Sequence, residues 1–392
     1  MLSLYHSQYQ AESRIAQSAV RLIHSTSPVE FVAAPVISLD ASICNWMLRS
    51  LPEQISCIHL DGDDIRVGDW SGNLICWDKE GDLKWSFDGP DRVSCIAVSE
   101  DFQVACMGLE LVAIDNDGRQ LWSKKLEGSA DEVIIGQDGL IHAISSVFDI
   151  EHGDFMESAY WRFNFEGEEQ SVQRFDERPW HMSLIDGKAC LGLGRPRCGL
   201  LVFSDEGEGE WFELSEDDPV SCGVYGRNAT LFGHANGSVS RLIKSKVENL
   251  IKLNDGIKTV ICTSEGFAVL EEDGNLSSFN SKAEGKGKQQ FPTSSGVCDS
   301  FSPVSEEGGF WLINGNEVQV LDYHCENILQ LNFPSEVSLI NGNENLAIIG
   351  TQKGEIYVFE KEMLARRMKT TESISNSKQD LREKLRNLRN KK

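Results

Sequence analysis

The stretch "NLICWDKEGDLKW", residues 73–85, runs through an apolar alternation, an Asp, a turn containing Gly and a closing Trp, and nearly the same phrase returns as "LVAIDNDGRQLW" at 111–122. A phrase that returns within the same chain points to repeated structural units, and the repeat period decides the architecture. Outward from it, short segments with a small or polar residue between apolar ones recur, starting at Ile55, Val93, Val133, Met182, Val220, Lys258, Val297 and Val337. Their spacings are 38, 40, 49, 38, 38, 39 and 40 residues, which implies eight units.

Each unit divides into four short runs. Unit two gives "VSCIAVS", "QVACMG", "LVAID" and "QLWSKKL"; unit five gives "VSCGVYG", "NATLFGH", "SVSRLI" and "VENLIKL". The alternation has period two and is rich in Val, Ile and Leu, the pattern of half-buried strands. Asp-Gly or Asn-Gly pairs stand at Asp61, Asp117, Asp186, Asn236, Asp273, Asn314 and Asn341. Such pairs tolerate the positive φ of type I′ turns, so each predicts a tight antiparallel reversal. Four-stranded antiparallel sheets at a period of about forty residues are propeller blades. The fold class predicted is all-β: an eight-bladed β-propeller, with seven blades and one irregular unit as the alternative.

The ends of the repeat predict its closure. Unit eight supplies "EVSLIN", "NLAIIGT" and "EIYVFE" and then turns charged after Phe359, leaving one strand missing. Near the N-terminus "ICNWMLRSLPEQISC" aligns with "DLKWSFDGPDRVSC", which places Trp46 where Trp85 stands. The segment around 43–50 is therefore expected to complete the last blade as its outer strand, removing the exposed edges an open array would have. The predicted organisation is an N-terminal extension at 1–28, helical or disordered, a propeller at 29–360 and a basic amphipathic helical tail at 361–392.

On the phrases "CWDKEGDLKW", "AIDNDGRQLW" and "VFSDEGEGEW", residues 43 to about 360 resemble the pyrroloquinoline-quinone-type repeat propellers, a superfamily of quinoprotein dehydrogenases and cofactor-free relatives. The resemblance implies that Trp46, Trp85, Trp122 and Trp211 pack between neighbouring blades. For the quinone enzymes it also implies an adjacent cysteine pair and a calcium site in the central funnel; the sequence has no Cys-Cys dipeptide. A more distant likeness is to the WD-repeat propellers, for which "GHANGS" at 233 and "WD" at 77 are isolated matches.

The eleven cysteines include no CxxC pair, and in a core of this size they are expected as reduced, buried thiols. The N-terminus has neither a basic stretch nor a compact apolar one, and a cytoplasmic protein is expected. No run approaches the roughly 18 apolar residues of a membrane span. Net charge is −24, yet residues 360–392 hold eleven Lys and Arg against five acids, so an acidic body of −30 carries a tail of +6. Such a body repels nucleic acid and anionic membrane.

Chemistry-bearing motifs are sparse. No two of the eight histidines lie within five residues, and HExxH, EF-hand, GxSxG and GKS/T patterns are absent. His324 and Cys325 sit in a predicted turn, and "GLGRPRCG" at 192–199 has the wrong glycine spacing for a dinucleotide fold. The acidic run "SDEGEGEWFELSEDDP" at 204–219 fits a solvated rim. No catalytic residue, cofactor, metal or small-molecule substrate is predicted.

In an antiparallel blade the second-to-third and outer-to-next-blade connections emerge on one side. That side gathers Trp70, Trp180, Arg195 and Arg197 as candidate protein-binding residues. Unit three exceeds its neighbours by about ten residues, and the surplus falls in "SSVFDIEHGDFMESAYW", an elongated second-to-third hairpin that adds His152 and Phe155. In the tail, Leu381, Leu385 and Leu388 form a narrow stripe beside Arg382, Arg386 and Arg389. A helix this short needs a receiver: the acidic body, a protein groove or RNA. The function expected is a non-catalytic scaffold for a protein partner, the alternatives being RNA association through the tail and a quinone- or metal-dependent enzyme.

Overall fold

An Asp fixes the turn at the centre of the quoted phrase. In the computed structural model, which describes residues 36–149, 151, 153–204, 207–214, 217–226, 229–243 and 246–371, Asp78 Oδ1 accepts the Asp82 N–H at 2.8 Å. The Gly81 N–H donates to the Asp78 carbonyl at 3.0 Å, and Gly81 has φ 87°. Asp115 and Gly118 repeat the arrangement. Glycine takes this left-handed conformation without a Cβ penalty. Asp-x-x-Gly is thus the hairpin turn into the outer strand, and Ala283 and Cys325 hold the same place in blades six and seven at φ 63°.

The chain forms an eight-bladed β-propeller of four-stranded antiparallel blades. Blade one is Ile55–Asp61, Asp64–Asp69, Asn73–Trp77 and Leu83–Asp88, from the inside outward. The inner strands of blades two to eight are Val93–Val98, Ser129–Ile135, Pro179–Ile185, Val220–Gly226, Ile257–Cys262, Ser294–Ser300 and Val337–Gly342. Units three, four, six and seven therefore begin one to four residues before the starts read from the sequence. Among the described residues eight apolar clusters hold the ring, each shared by two adjacent blades. Burying one side of each sheet against its neighbour supplies the apolar stabilisation of the ring.

Closure follows the expected route with a different detail. Met47–Ser50 pairs antiparallel with Glu355–Val358 as the outer strand of blade eight, but residues 41–44 form a helical turn. Ile37–Asp40, unanticipated, adds a parallel fifth strand to blade seven against Leu329–Asn332. A helix at 361–371 sinks Leu364 and Met368 into the cluster of blades seven and eight, so its first turns belong with the propeller body. The Arg367 guanidinium donates to the Ile43 carbonyl at 2.7 Å. The extension at 1–28 and the tail residues Leu381, Arg382, Leu385, Arg386, Leu388 and Arg389 lie outside the described residues.

Two turn expectations change. Only Asp186–Gly187 has positive φ at both residues, as type I′ requires. Asn341–Gly342 is not a turn: the strand continues, and Asn341 Nδ2 donates to the Ile58 carbonyl at 2.9 Å across the closing seam.

Every inner strand carries a β-bulge at the same place, skipping Ser56, Ser94, Asp131, Trp180, Ser221, Lys258, Ser295 and Ser338 in the pairing. The extra residue turns its side chain out of the ladder. Where it is serine, the hydroxyl can tie one blade to the next: Ser56 donates to the Val93 carbonyl at 2.7 Å, Ser94 to Ala130 at 3.0 Å and Ser221 to Ile257 at 2.5 Å. Opposite the first bulge stands Gly68, where a Cβ would lie 2.5 Å from that of Val93.

The tryptophans divide. Trp85 is buried in the seam of blades one and two, and a Cβ on Gly118 of the next turn would lie 2.8 Å from its own. Trp122 packs in the seam of blades two and three and donates Nε1–H to the Phe165 carbonyl at 2.9 Å. Trp46 stays half-exposed and bonds the Lys79 carbonyl at 2.9 Å, covering the closing seam from outside. Trp211 has the same spacing from its turn but packs toward the preceding blade three. The outer strands of blades one and two carry a register shift before their Trp; that of blade four has none. One residue of slip reverses the face of a strand side chain.

Candidate interaction face

The second-to-third turns and the connections between blades lie together on one face. Blade one presents Trp70 there. Asp69, fully buried, holds the turn by accepting the N–H groups of Ser71 at 3.0 Å and Asn73 at 2.9 Å and the Asn73 Nδ2 at 2.7 Å. Trp70 is left half-exposed, with the Arg92 guanidinium 4.0 Å above its ring. Trp180 occupies the bulge position that serine fills in other blades, so its indole leaves the ladder half-exposed under Arg178 at 4.0 Å. A side chain at Gly194 would strike the Trp180 Nε1.

Arg197 covers Trp211 at 4.0 Å and stands 3.6 Å from Glu213; Arg195 is exposed in the same loop. The blade-three hairpin is long, as expected: Ile141–Asp149 pairs with Asp154–Phe163, with Phe148 opposite Phe155. Phe155 is half-buried, while Phe148 and Met156 are exposed. His152 lies outside the described residues. Leu109, on the blade-two turn, is also exposed. Leu109, Phe148, Met156 and the stacking arginines Arg92 and Arg178 were not singled out in the sequence; an apolar residue inside a turn was the available signal for Leu109.

Among the described residues, the exposed large apolar side chains of this face all fall on blades one to four. On blades five to eight the same turns present residues such as Asp217, Asp255, Glu272, Asp273 and Lys353. Of the acidic run, the connection after the outer strand of blade four exposes Glu213 and Asp217 here, while Asp218 accepts the Asn236 N–H at 2.7 Å.

Inside the ring, Glu132 and His181 follow the bulges of blades three and four. Glu132 Oε2 accepts the Met182 N–H at 2.8 Å, and its Oε1 lies 3.9 Å from His181 Nδ1. Burial pushes the Glu132 carboxyl up to about 8 and the His181 imidazole down to about 4, so both are neutral near pH 7. His181 borders a cavity of about 680 Å³ lined also by Ile134, Leu184 and Tyr225. Nearby, His142 bridges the Tyr160 hydroxyl at 2.7 Å and Asp138 at 3.2 Å. Among the described residues no group of three His, Cys, Asp or Glu side chains is placed to hold a metal. In the predicted turn His324 is exposed and Cys325 buried.

No known family profile and no curated protein sequence matches the chain. Solved structures share its fold. BamB from Moraxella catarrhalis superposes with a TM-score of 0.65 at 12% identity, covering 81% of this chain and 97% of that one. The propeller of Dos1 gives 0.64 at 12% identity, covering 81% and 94%. The C-terminal WD40 domain of Sif2 gives 0.61 at 13% identity, covering 80% and 97%.

Proposed function

We propose that this propeller is a non-catalytic scaffold that docks a protein partner on the connection face of blades one to four. The observation that carries it is the confinement of exposed Trp70, Leu109, Phe148, Met156 and Trp180 to that half of the face. Large apolar side chains clustered on loops of a rigid support are the composition of an interaction surface rather than of a solvated rim. The likeness to other propellers, one of them a WD40 domain, supports a scaffold. The tail beyond residue 371, with Leu381, Leu385 and Leu388, supplies a second contact, and eleven free thiols fit a cytoplasmic setting.

Photo-cross-linking in cells tests this. A photoreactive residue at Trp180 is expected to capture a protein that the same group at Tyr225, on the opposite face, does not. Replacing residues 148–156 by Asn-Gly, which leaves Val147 and Glu157 flanking a two-residue turn, is expected to abolish that adduct without lowering the Tm. Equal capture from both positions, or an adduct indifferent to the hairpin, overturns the proposal.

A further inference from the structure

The docking half of the face carries positive charge that the chain itself leaves unpaired. Arg66, Arg119, Arg174, Arg197 and Arg241 each have a carboxylate within 4.0 Å. Among the described residues of this face Arg92, Arg178 and Arg195 have none, in a protein with 61 acidic residues; the other described arginines without one, Arg49, Arg366 and Arg367, lie elsewhere and donate to backbone carbonyls. Two of these three are fixed over indoles, Arg92 on Trp70 and Arg178 on Trp180. A guanidinium stacked on an aromatic ring keeps its N–H donors at the edge, in the fork that matches a carboxylate. Its plane is already set, so little rotamer freedom is lost when a partner arrives.

We infer that blades one to four bind an acidic amphipathic peptide segment of a partner protein, its Asp or Glu side chains pairing with Arg92, Arg178 and Arg195. Its apolar side chains cover Trp70, Trp180 and the blade-three hairpin. This rests on the reading of the face as a docking surface and adds the chemistry of what docks. The spacing of charge favours a peptide over a polynucleotide. A nucleic acid places a phosphate at every residue, and here it would also meet Asp91, Glu151 and Asp176, all exposed, on a body of strongly negative charge. A peptide can place carboxylates only where the guanidiniums stand, and Leu109 and Met156 offer no flat ring to a base.

The test pans the full-length protein against a random-peptide display library, then measures the Kd of the selected peptides for wild type and variants by fluorescence anisotropy. The expected peptides are enriched in Asp and Glu beside Leu, Phe or Trp. Their Kd rises about tenfold or more in R92Q/R178Q and in W70A/W180A, and rises with salt. R92K/R178K, which keeps the charge and loses the fork, falls between. All three variants are expected to melt close to wild type, because the changed side chains are at the surface. Peptides without acidic enrichment that ignore R92Q/R178Q but fail on W70A/W180A overturn the acidic partner while the docking face stands. Selected peptides indifferent to every substitution, or no selection at all, overturn both. Binding of a labelled single-stranded RNA that R92Q/R178Q abolishes overturns the inference in favour of a polynucleotide.

Discussion

Blades one and six share one outer-strand register, pair for pair, and differ in how they fill the seam to the next blade. Asn73 faces Asp88 and Cys76 faces Trp85 in the first; Asn275 faces Gln290 and Ser278 faces Gly287 in the second. Beyond Trp85 lies Gly118, the left-handed residue of the next turn. Beyond Gly287 the next turn brings His324 and Cys325, and a Cβ on Gly287 would run into the His324 carbonyl. One seam pairs a large strand residue with a glycine turn; the other pairs a glycine strand with a bulkier turn. The filled volume across the seam is what both preserve, because protein interiors tolerate neither voids nor overlap.

The contrast can be broken from either side. Trp85→Ala is expected to cost about 3–5 kcal/mol in chemical denaturation, since it empties a buried site that Gly118 cannot refill. An unchanged midpoint would mean the indole fills nothing. Gly287→Ala overfills the opposite seam and is expected to cost about 1–3 kcal/mol, measured the same way. Were blade six merely a degenerate copy of blade one with slack to spare, that added methyl would be neutral.

Smaller fastenings distinguish the remaining seams. Ser56→Ala removes the hydroxyl bonded to Val93 and is expected to cost about 1 kcal/mol. Seam three to four uses Glu132 on the Met182 N–H instead, and its effect depends on pH. With its carboxyl raised from 4.5 to about 8, the folded chain keeps a proton that the unfolded chain releases. That contribution is full below pH 4.5 and is lost as pH climbs to about 8. His181, lowered from 6.5 to about 4, acts in the opposite sense and only below pH 6.5. Between pH 6.5 and 8 the wild-type Tm is therefore expected to fall more steeply than that of Glu132→Gln, whose amide oxygen still accepts the Met182 N–H. Parallel melting curves would remove Glu132 from the account.

The blade number, the closing strand and the long third hairpin were legible because turn residues and strand alternation are local signals. Blade starts slipped in blades three, four and six, where Asp131, Trp180 and Lys258 replace serine at the bulge, and in blade seven although Ser295 keeps it there. The face of Trp211 was hidden because its spacing from the turn equals that of Trp85, and only the missing register shift separates them. Of the candidate face, Trp70 and Trp180 were visible as tryptophans in connections. Arg92 and Arg178 were not, since stacking on a ring depends on how two loops meet. Ile37–Asp40 escaped because its partner strand lies near the other end of the sequence.

That same distance bears on how the molecule is made. Met47–Ser50 leaves the ribosome early and has no partner until Glu355–Val358 has been translated. Through most of synthesis the nascent ring is an open arc in which this strand waits unpaired, and such long-range pairings are slow to form. The clasp can close only once that strand has emerged, and a chain stalled before it would expose two unpaired ladders to its neighbours on the same polysome.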